Sequence, residues 1–321
     1  MRVVSVLIAV TLLSSCSAPA GNGGDGEKPG ACDNDPGARA PIQDAALRQQ
    51  IADALELSDS QPTCAEMEEL VFLYAIDAGV ESLEGLQYAV NLEHLSFWDN
   101  EITDLGPLGN LLSLQFVALT NNRVSDIKPL LNLPVLDTLY IDGNRITDLE
   151  DVLQMQNLRV LRVGNNPVPY SQLNQLYGLP ELEGLGISGF GESGALELAL
   201  GHPNALNFTE LNVDGNQIRD LSGLENLAEL RVLEAQHNRI EDIAPLADSI
   251  KLGFVNLADN FIRDLSPLVN GDAFKEEGVS SQLFLSNNCL ELTTDSPTDA
   301  HVTELKERGV NVILSTSKEC S

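Results

Sequence analysis

Six aspartates recur at one position of a repeated motif, and they are the residues whose type and spacing could do chemistry. Each precedes an apolar residue, and in four copies Pro-Leu follows two residues further on. A row of carboxylates about 4.8 Å apart could bind calcium, although unpaired neighbours would repel one another. Alternatively, each Asp caps the turn that follows it, and we favour this role because it explains why Asp and Pro-Leu occur together. The six are Asp104, Asp126, Asp148, Asp220, Asp242 and Asp264.

No other constellation points to catalysis. The sequence contains no GxSxG, P-loop or HExxH motif, and its four histidines are scattered. We therefore expect no metal, no cofactor and no enzymatic activity. A weak alternative is an enzyme with a site near the insertion at 189–206, which offers Glu192, Glu197 and His202.

The charge balance restricts the partners. The 321 residues include 48 acidic and 18 basic side chains, for a formal net charge of −30. Binding to phosphate backbones or to anionic membrane surfaces needs basic clusters, so we expect no nucleic acid partner and no membrane contact through the folded part. The same charge makes copies of the chain repel one another, which predicts a monomer.

The N-terminus has the form of a targeting segment. Arg2 precedes the apolar run VVSVLIAVTLL, which is too short to span a membrane. The run ends in LSSC at 13–16, which resembles the lipobox of bacterial lipoproteins. The resemblance implies a signal peptide at 1–15, cleavage before Cys16, and acylation of Cys16, including a palmitate-type chain. Ser17 in place of Asp favours the outer membrane of a Gram-negative cell, facing either side. The alternative is an ordinary signal peptide with an incidental cysteine.

Residues 16–41 are rich in Gly, Pro, Ala and Asp and predict a flexible tether. Four cysteines remain after Cys16, and none of them forms a CxxC pair. In an oxidising, exported compartment we expect two disulfides, Cys32–Cys64 and Cys289–Cys320. Each would close a loop of about 30 residues and contribute roughly 3–4 kcal/mol.

An asparagine recurs every 22 residues within the pattern L-x-x-L-x-L-x-x-N-x-I-x-D-[IL]-x-P-L. A fixed period of this length indicates a solenoid of stacked coils. The pattern resembles the leucine-rich repeat, and its ending is similar to the internalin-type repeats of bacteria. The resemblance implies a curved α/β horseshoe, with short parallel strands on the concave face and short 3-10 or α turns on the convex face. The seven asparagines are Asn100, Asn122, Asn144, Asn166, Asn216, Asn238 and Asn260.

The repeats occupy 70–290, in about ten coils that are irregular at 167–207. A helical cap is predicted at 42–69, with Asp44 as a helix N-cap. A C-terminal α/β cap is predicted at 291–321, with a helix near 299–308 and a strand near 310–314. Caps of this kind cover the open core at each end of a solenoid.

Strand positions between the buried leucines point to the concave face and are free to bind a partner. Aromatic residues cluster there on the first four coils, and acids follow on later coils. We expect this face to bind another protein, with a glycan as the alternative ligand. The alternatives are a passive structural lipoprotein of the envelope and aromatics that merely pack on the cap. The proposed binding residues are Phe72, Tyr74, His94, Trp98, Phe116, Tyr140, Asp142, Arg162, Glu210, Asp214 and Glu234.

Overall fold

The computed structural model describes Cys32, residues 35–276 and 278–315, Lys318 and Cys320. The signal segment, Cys16 and most of the tether lie outside the described residues. The predictions of cleavage and acylation fall there with them.

Eleven three-residue strands form one parallel sheet in chain order. The middle residue of each strand points into the core, and the residues on either side of it point outward. Every strand pairs in register with the next, so equivalent residues of successive coils form straight rows. This arrangement confirms the predicted solenoid. The strands are β1 Phe72–Tyr74, β2 His94–Ser96, β3 Phe116–Ala118, β4 Thr138–Tyr140, β5 Val160–Arg162, β6 Gly184–Gly186, β7 Glu210–Asn212, β8 Val232–Glu234, β9 Phe254–Asn256, β10 Gln282–Phe284 and β11 Asn311–Ile313.

Short helices return the chain along the convex side. Leucines of these segments meet the strand leucines in one continuous core that runs the length of the stack. The α-helices are α1 Ala45–Ala54, α2 Cys64–Met67, α3 Ala195–Leu200, α4 Ser266–Asn270 and α5 Pro297–Glu307, and the 3-10 helices are Leu86–Tyr88, Gly106–Leu108, Lys128–Asn132, Val152–Gln154, Tyr170–Gly178, Ala205–Asn207, Leu224–Asn226 and Ala244–Leu246.

Each of the six repeated aspartates uses its Oδ1 to accept the backbone N–H two residues ahead. The N···O distances run from 2.8 Å at Asp104 to 3.1 Å at Asp148. In the coil of Asp104, the helix N-cap is the next residue, Leu105, so the aspartate forms an Asx turn that leads into the helix. The structure thus places these carboxylates on turn amides and not at the N-cap position that the sequence suggested. In four coils the aspartate lies one residue before the N-cap, and in the coils of Asp148 and Asp220 it lies three residues before it. The other four bonds run from Asp126, Asp220, Asp242 and Asp264.

The repeated asparagine links neighbouring coils. Asn144 Oδ1 accepts the N–H of Val124 at 2.9 Å, and its Nδ2 donates to Leu119 O of the preceding coil at 2.8 Å. It also donates to Ile141 O within its own coil. Asn122 and Asn260 repeat the arrangement. Backbone groups that the turn leaves without partners are satisfied by the next coil.

The residue before each repeated asparagine has a left-handed backbone, as has the equivalent residue in the two coils that lack the asparagine, and the periodic pattern did not predict this. The values of φ lie between 50° and 72° at these positions. Only Asp, Asn, His and Gly occupy them, in agreement with the residues that tolerate this conformation. The series is Asp77, Asp99, Asn121, Gly143, Asn165, Gly189, Gly215, His237, Asp259 and Asn287.

Both ends of the stack are covered. At the N-terminal end Asp44 caps α1 through Leu47 N–H and also accepts the N–H groups of Glu81 and Ser82 in the first coil. At the C-terminal end Ser296 caps α5, and β11 extends the sheet beyond β10. The structure forms the disulfides Cys32–Cys64 and Cys289–Cys320, with Cα–Cα distances of 5.3 and 5.6 Å. None of the helices in the described part of the chain has the length and apolarity to cross a membrane.

Candidate functional site: the concave face

The concave face consists of three rows of outward side chains. The first row holds the first residue of each strand, the second row the third residue, and the third row the residue two positions beyond the strand. In the coil of β1 these are Phe72, Tyr74 and Ile76. Because the strands are in register, a side chain in one row meets its counterparts in the coils on either side.

Apolar side chains dominate the first three coils. In the coil of β1 the exposed fractions are 50% for Phe72, 46% for Tyr74 and 40% for Ile76, whereas core residues are close to zero. In the first row His94 stacks between Phe72 and Phe116, with centroid distances of 4.9 and 5.8 Å. Trp98 lies partly exposed in the third row. We call this surface the apolar platform: Phe72, Tyr74, Ile76, His94, Trp98 and Phe116.

A buried ion cluster occupies the middle of the face. The guanidinium of Arg162 lies 4.6 Å from the centre of the Tyr140 ring. Its Nε is 2.5 Å from Glu210 Oε1, and its Nη2 is 2.6 Å from Glu234 Oε1. The Tyr140 hydroxyl donates to Glu210 Oε2 at 3.0 Å, which joins β4 to β7. We call Tyr140, Arg162, Glu210 and Glu234 the central cluster.

Glycines make room for these long contacts. A Cβ at Gly186 would lie 2.6 Å from Cγ of Arg162, and one at Gly184 would lie 2.8 Å from Cγ1 of Val160. The side chain of Arg162 therefore passes over β6 to reach carboxylates on β7 and β8. A glycine at an outward strand position is the sequence signal that could have revealed this crossing.

The electrostatics of the cluster agree with its geometry. Burial opposes the charge of Arg162, but Glu210 and Glu234 raise the pKa of its guanidinium well above the ordinary value. Burial, together with the charge of Glu210, also raises the pKa of the Tyr140 hydroxyl, which stays protonated and donates. The cation is thus fixed between an aromatic face and two carboxylates.

Two further acids are buried beside the cluster in the third row. Burial raises the pKa of Asp142 to about 7, and the side chain of this residue is only 6% exposed. Burial and the charge of Glu234 raise the pKa of Asp214 to about 7. Asp214 accepts hydrogen bonds from the backbone N–H and the Nε2 of Gln236, at 2.8 and 2.9 Å. Both carboxyl groups change charge near neutral pH.

The eleven residues proposed from the sequence therefore divide into two groups. The platform holds Phe72, Tyr74, His94, Trp98 and Phe116, which remain accessible in part or in full. Tyr140, Arg162, Glu210 and Glu234 bond to one another, and Asp142 and Asp214 are buried next to them. The sequence reading treated all of them as free to bind a partner. Ile76, which the sequence also places on the concave face, joins the platform although it is not among the proposed binding residues.

The insertion at 189–206 is a packed part of the stack. His202 is 3% exposed, its ring lies between those of Tyr177 and Phe208, and its Nε2 is 3.2 Å from Leu176 O. Burial lowers the pKa of His202, so the ring is neutral. Within the described residues, neither this segment nor any other holds three or more His, Cys, Asp or Glu side chains placed to bind a metal ion.

Comparison with known proteins identifies the family. A family model for leucine-rich repeats, in two copies, matches residues 90–132. Internalin C2 of Listeria monocytogenes is 31% identical over a match that covers 74% of this chain and 96% of that protein, with a TM-score of 0.46. The chain belongs to the leucine-rich repeat family. Its repeats are of the bacterial internalin type, as their 22-residue pattern implied.

Two further solved structures are similar to this leucine-rich repeat protein at lower identity. Another internalin of Listeria monocytogenes is 23% identical, with 87% of this chain and 91% of that one covered and a TM-score of 0.48. A leucine-rich repeat protein of Leptospira interrogans is 20% identical, with 72% and 57% covered and a TM-score of 0.46. No curated protein matches the chain in sequence.

The central cluster predicts a large effect of removing its only cation. The substitution Arg162→Met leaves Glu210 and Glu234 without a cation and with only neutral donors, the Tyr140 hydroxyl and the Asn212 amide. We expect a loss of about 3–5 kcal/mol in the free energy of unfolding. The triple variant Arg162→Met/Glu210→Gln/Glu234→Gln should recover most of the loss. Urea denaturation measures both. A loss below about 1 kcal/mol for Arg162→Met would show that the cluster is solvated.

The buried acids predict that stability falls as pH rises toward neutrality. Between about pH 4 and pH 7 the folded protein holds protons on Asp142 and Asp214 that the unfolded chain has released, so unfolding becomes easier as pH rises through this window. His94 and His202 act in the opposite direction, because burial lowers their pKa.

The measurement is therefore the difference between two proteins. Thermal unfolding of the wild type and of Asp142→Asn/Asp214→Asn is followed from pH 5.5 to pH 8. The variant should be the more stable protein at pH 8, and its advantage should shrink toward pH 5.5. An advantage independent of pH would mean that neither carboxyl group titrates in this range.

Proposed function

We propose that this protein is a lipid-anchored, non-catalytic scaffold that binds another protein through the apolar platform. The single observation that carries the proposal is the exposure of Phe72, Tyr74 and Ile76 in the same coil, one in each row of the concave face. Contiguous exposed apolar surface on a soluble domain is the usual mark of a protein interface, and aromatic side chains supply much of its binding energy.

The difference between the two halves of the face supports this choice of surface. Every carboxylate of the central cluster already has a partner, so a ligand there would have to break buried ion pairs. A ligand that binds the platform does not have to break an ion pair of this cluster. Its first-row rings also stack face to face, which leaves ring edges outward and makes sugar stacking on those faces unfavourable. A protein is therefore the preferred partner over a glycan.

The anchoring part of the proposal rests on the sequence around Cys16. Acyl chains on that cysteine would tether the repeats to the outer membrane of a Gram-negative cell, with residues 17–41 as the spacer. Substitution Cys16→Ser should abolish incorporation of labelled palmitate and move the protein from the membrane fraction to the soluble fraction. Retention in the membrane fraction without label would contradict the anchor.

Site-specific photocrosslinking tests the binding surface in cells. A photoreactive amino acid in place of Trp98 should give one adduct of defined mass, because position 98 lies on the platform. The matched control carries the same amino acid in place of Phe254, a first-row residue of β9 that stacks on Phe284 at 5.3 Å. The control should give little or no adduct.

Equal adducts at both positions would remove the platform as the specific site, and no adduct at either would favour a passive structural role. A second variant, Tyr74→Ala, should reduce the adduct at position 98 by about tenfold or more, in the range of hot-spot side chains. Circular dichroism and the urea midpoint confirm that each variant is folded.

A further inference from the structure

The platform belongs to a part of the chain in which acidic residues are not balanced by basic ones. From residue 49 to residue 122 the sequence contains thirteen Asp and Glu and no Lys or Arg. This stretch runs from within α1 through the coil of β3 and so builds the surroundings of the platform. Among the residues that the structure describes, its acids form ion pairs with a Lys or Arg only in Asp59–Arg39 and Glu101–Arg123.

Two of these acids directly follow platform residues in the chain. Asp77 follows Ile76, and Asp99 follows Trp98, each at the left-handed position that ends the strand segment, with φ of 50° and 56°. Both are exposed. Asp99 uses one carboxylate oxygen, Oδ1, to accept a hydrogen bond from Asn121 at 2.8 Å. Carboxylates thus stand at one end of an apolar surface.

The same face already contains one guanidinium held in such surroundings. Arg162 lies against the Tyr140 ring and pairs with two carboxylates. Tyr74 occupies the equivalent second-row position three coils earlier. The next second-row residue after Tyr140 is Arg162, whereas the next after Tyr74 is Ser96. Among the described residues, the rings that have a Lys or Arg cation over them are those of Tyr140 and Phe261, and Tyr74 is not one of them.

We propose that the platform binds a basic segment of the partner protein, with arginine side chains against Tyr74 and Trp98 and their charges paired with Asp77 and Asp99. This inference rests on the proposed function, in that it assigns the chemistry of the partner for the same surface. Arginine suits the site better than lysine, because its planar group stacks on aromatic faces and binds carboxylates with two N–H groups. The charge around the platform would also speed the approach of such a segment.

The only tryptophan of the chain provides a local signal for the test. Capped hexa-arginine, hexa-lysine and hexa-glutamine peptides are titrated into the intact mature protein while the fluorescence of Trp98 is recorded. We expect a saturable change with hexa-arginine, a weaker one with hexa-lysine, and none with hexa-glutamine. An equal response to hexa-glutamine would overturn the proposal, because binding would then be independent of charge.

A matched pair of variants separates local recognition from general attraction to an acidic protein. Asp77→Asn/Asp99→Asn removes the two platform carboxylates, and Asp259→Asn/Asp295→Asn removes two others that are also left-handed, with φ of 57° and 66°. Asp259 even accepts a bond from Asn287, as Asp99 does from Asn121. Both variants change the net charge equally, and asparagine tolerates this backbone conformation.

The first variant should weaken hexa-arginine binding about three- to tenfold, and the second should leave it nearly unchanged. Equal weakening by both would overturn the proposal in favour of diffuse attraction. If crosslinking at position 98 yields a partner but hexa-arginine does not bind, the basic segment is wrong and the binding surface stands. If neither gives a signal, the proposed function fails together with the inference.

Discussion

No coil of this protein can satisfy its own backbone, and the rest of the structure depends on that constraint. The repeated asparagine accepts an N–H from the preceding coil and donates to a carbonyl of that coil, while the strand beside it pairs with both neighbours. A coil therefore becomes stable only when it is stacked. The first and last coils lack one neighbour each, which explains why the capping helices α1 and α5, the added strand β11 and the two disulfides lie at the ends.

Stacking in register determines how the concave face can be built. Equivalent side chains of neighbouring coils are about 4.8 Å apart, so any charge in a row meets its neighbours at close range. The protein handles this in two ways. Rings occupy the first row at the N-terminal end and stack on one another, and in the middle one arginine is shared between two acids. Gly186 of β6 allows the second solution, since a Cβ there would lie 2.6 Å from Cγ of Arg162.

The parts of the fold that repeat were predictable from the sequence, whereas contacts between different coils were not. Periodic leucines and asparagines predict the strands, the core and the asparagine hydrogen bonds between coils, because each repeat position has the same environment in every coil. The hydrogen bond between Tyr140 and Glu210 spans β4 to β7. It depends on the length of both side chains, on the curvature of the sheet and on the glycines at the two outward positions of β6. The left-handed position was not predicted because Asp, Asn, Gly and His share it, so that no single residue type marks it in every coil. Asp104 forms an Asx turn one residue before the helix N-cap, Leu105. A repeat pattern locates a helix start only approximately, so it could not distinguish these two positions.

The division of the concave face follows from the different costs of using its two halves. A ligand that engaged Glu210 or Glu234 would compete with Arg162 for a buried carboxylate and would leave a charge unpaired, at a cost of several kcal/mol. On the platform, binding would cover apolar surface that is already in contact with water, at about 25 cal/mol per Å² gained. The central cluster thus ties β4, β5, β7 and β8 together and makes the middle of the face the costlier half for a ligand. This difference in cost is the physical reason why our proposal assigns recognition to the N-terminal coils.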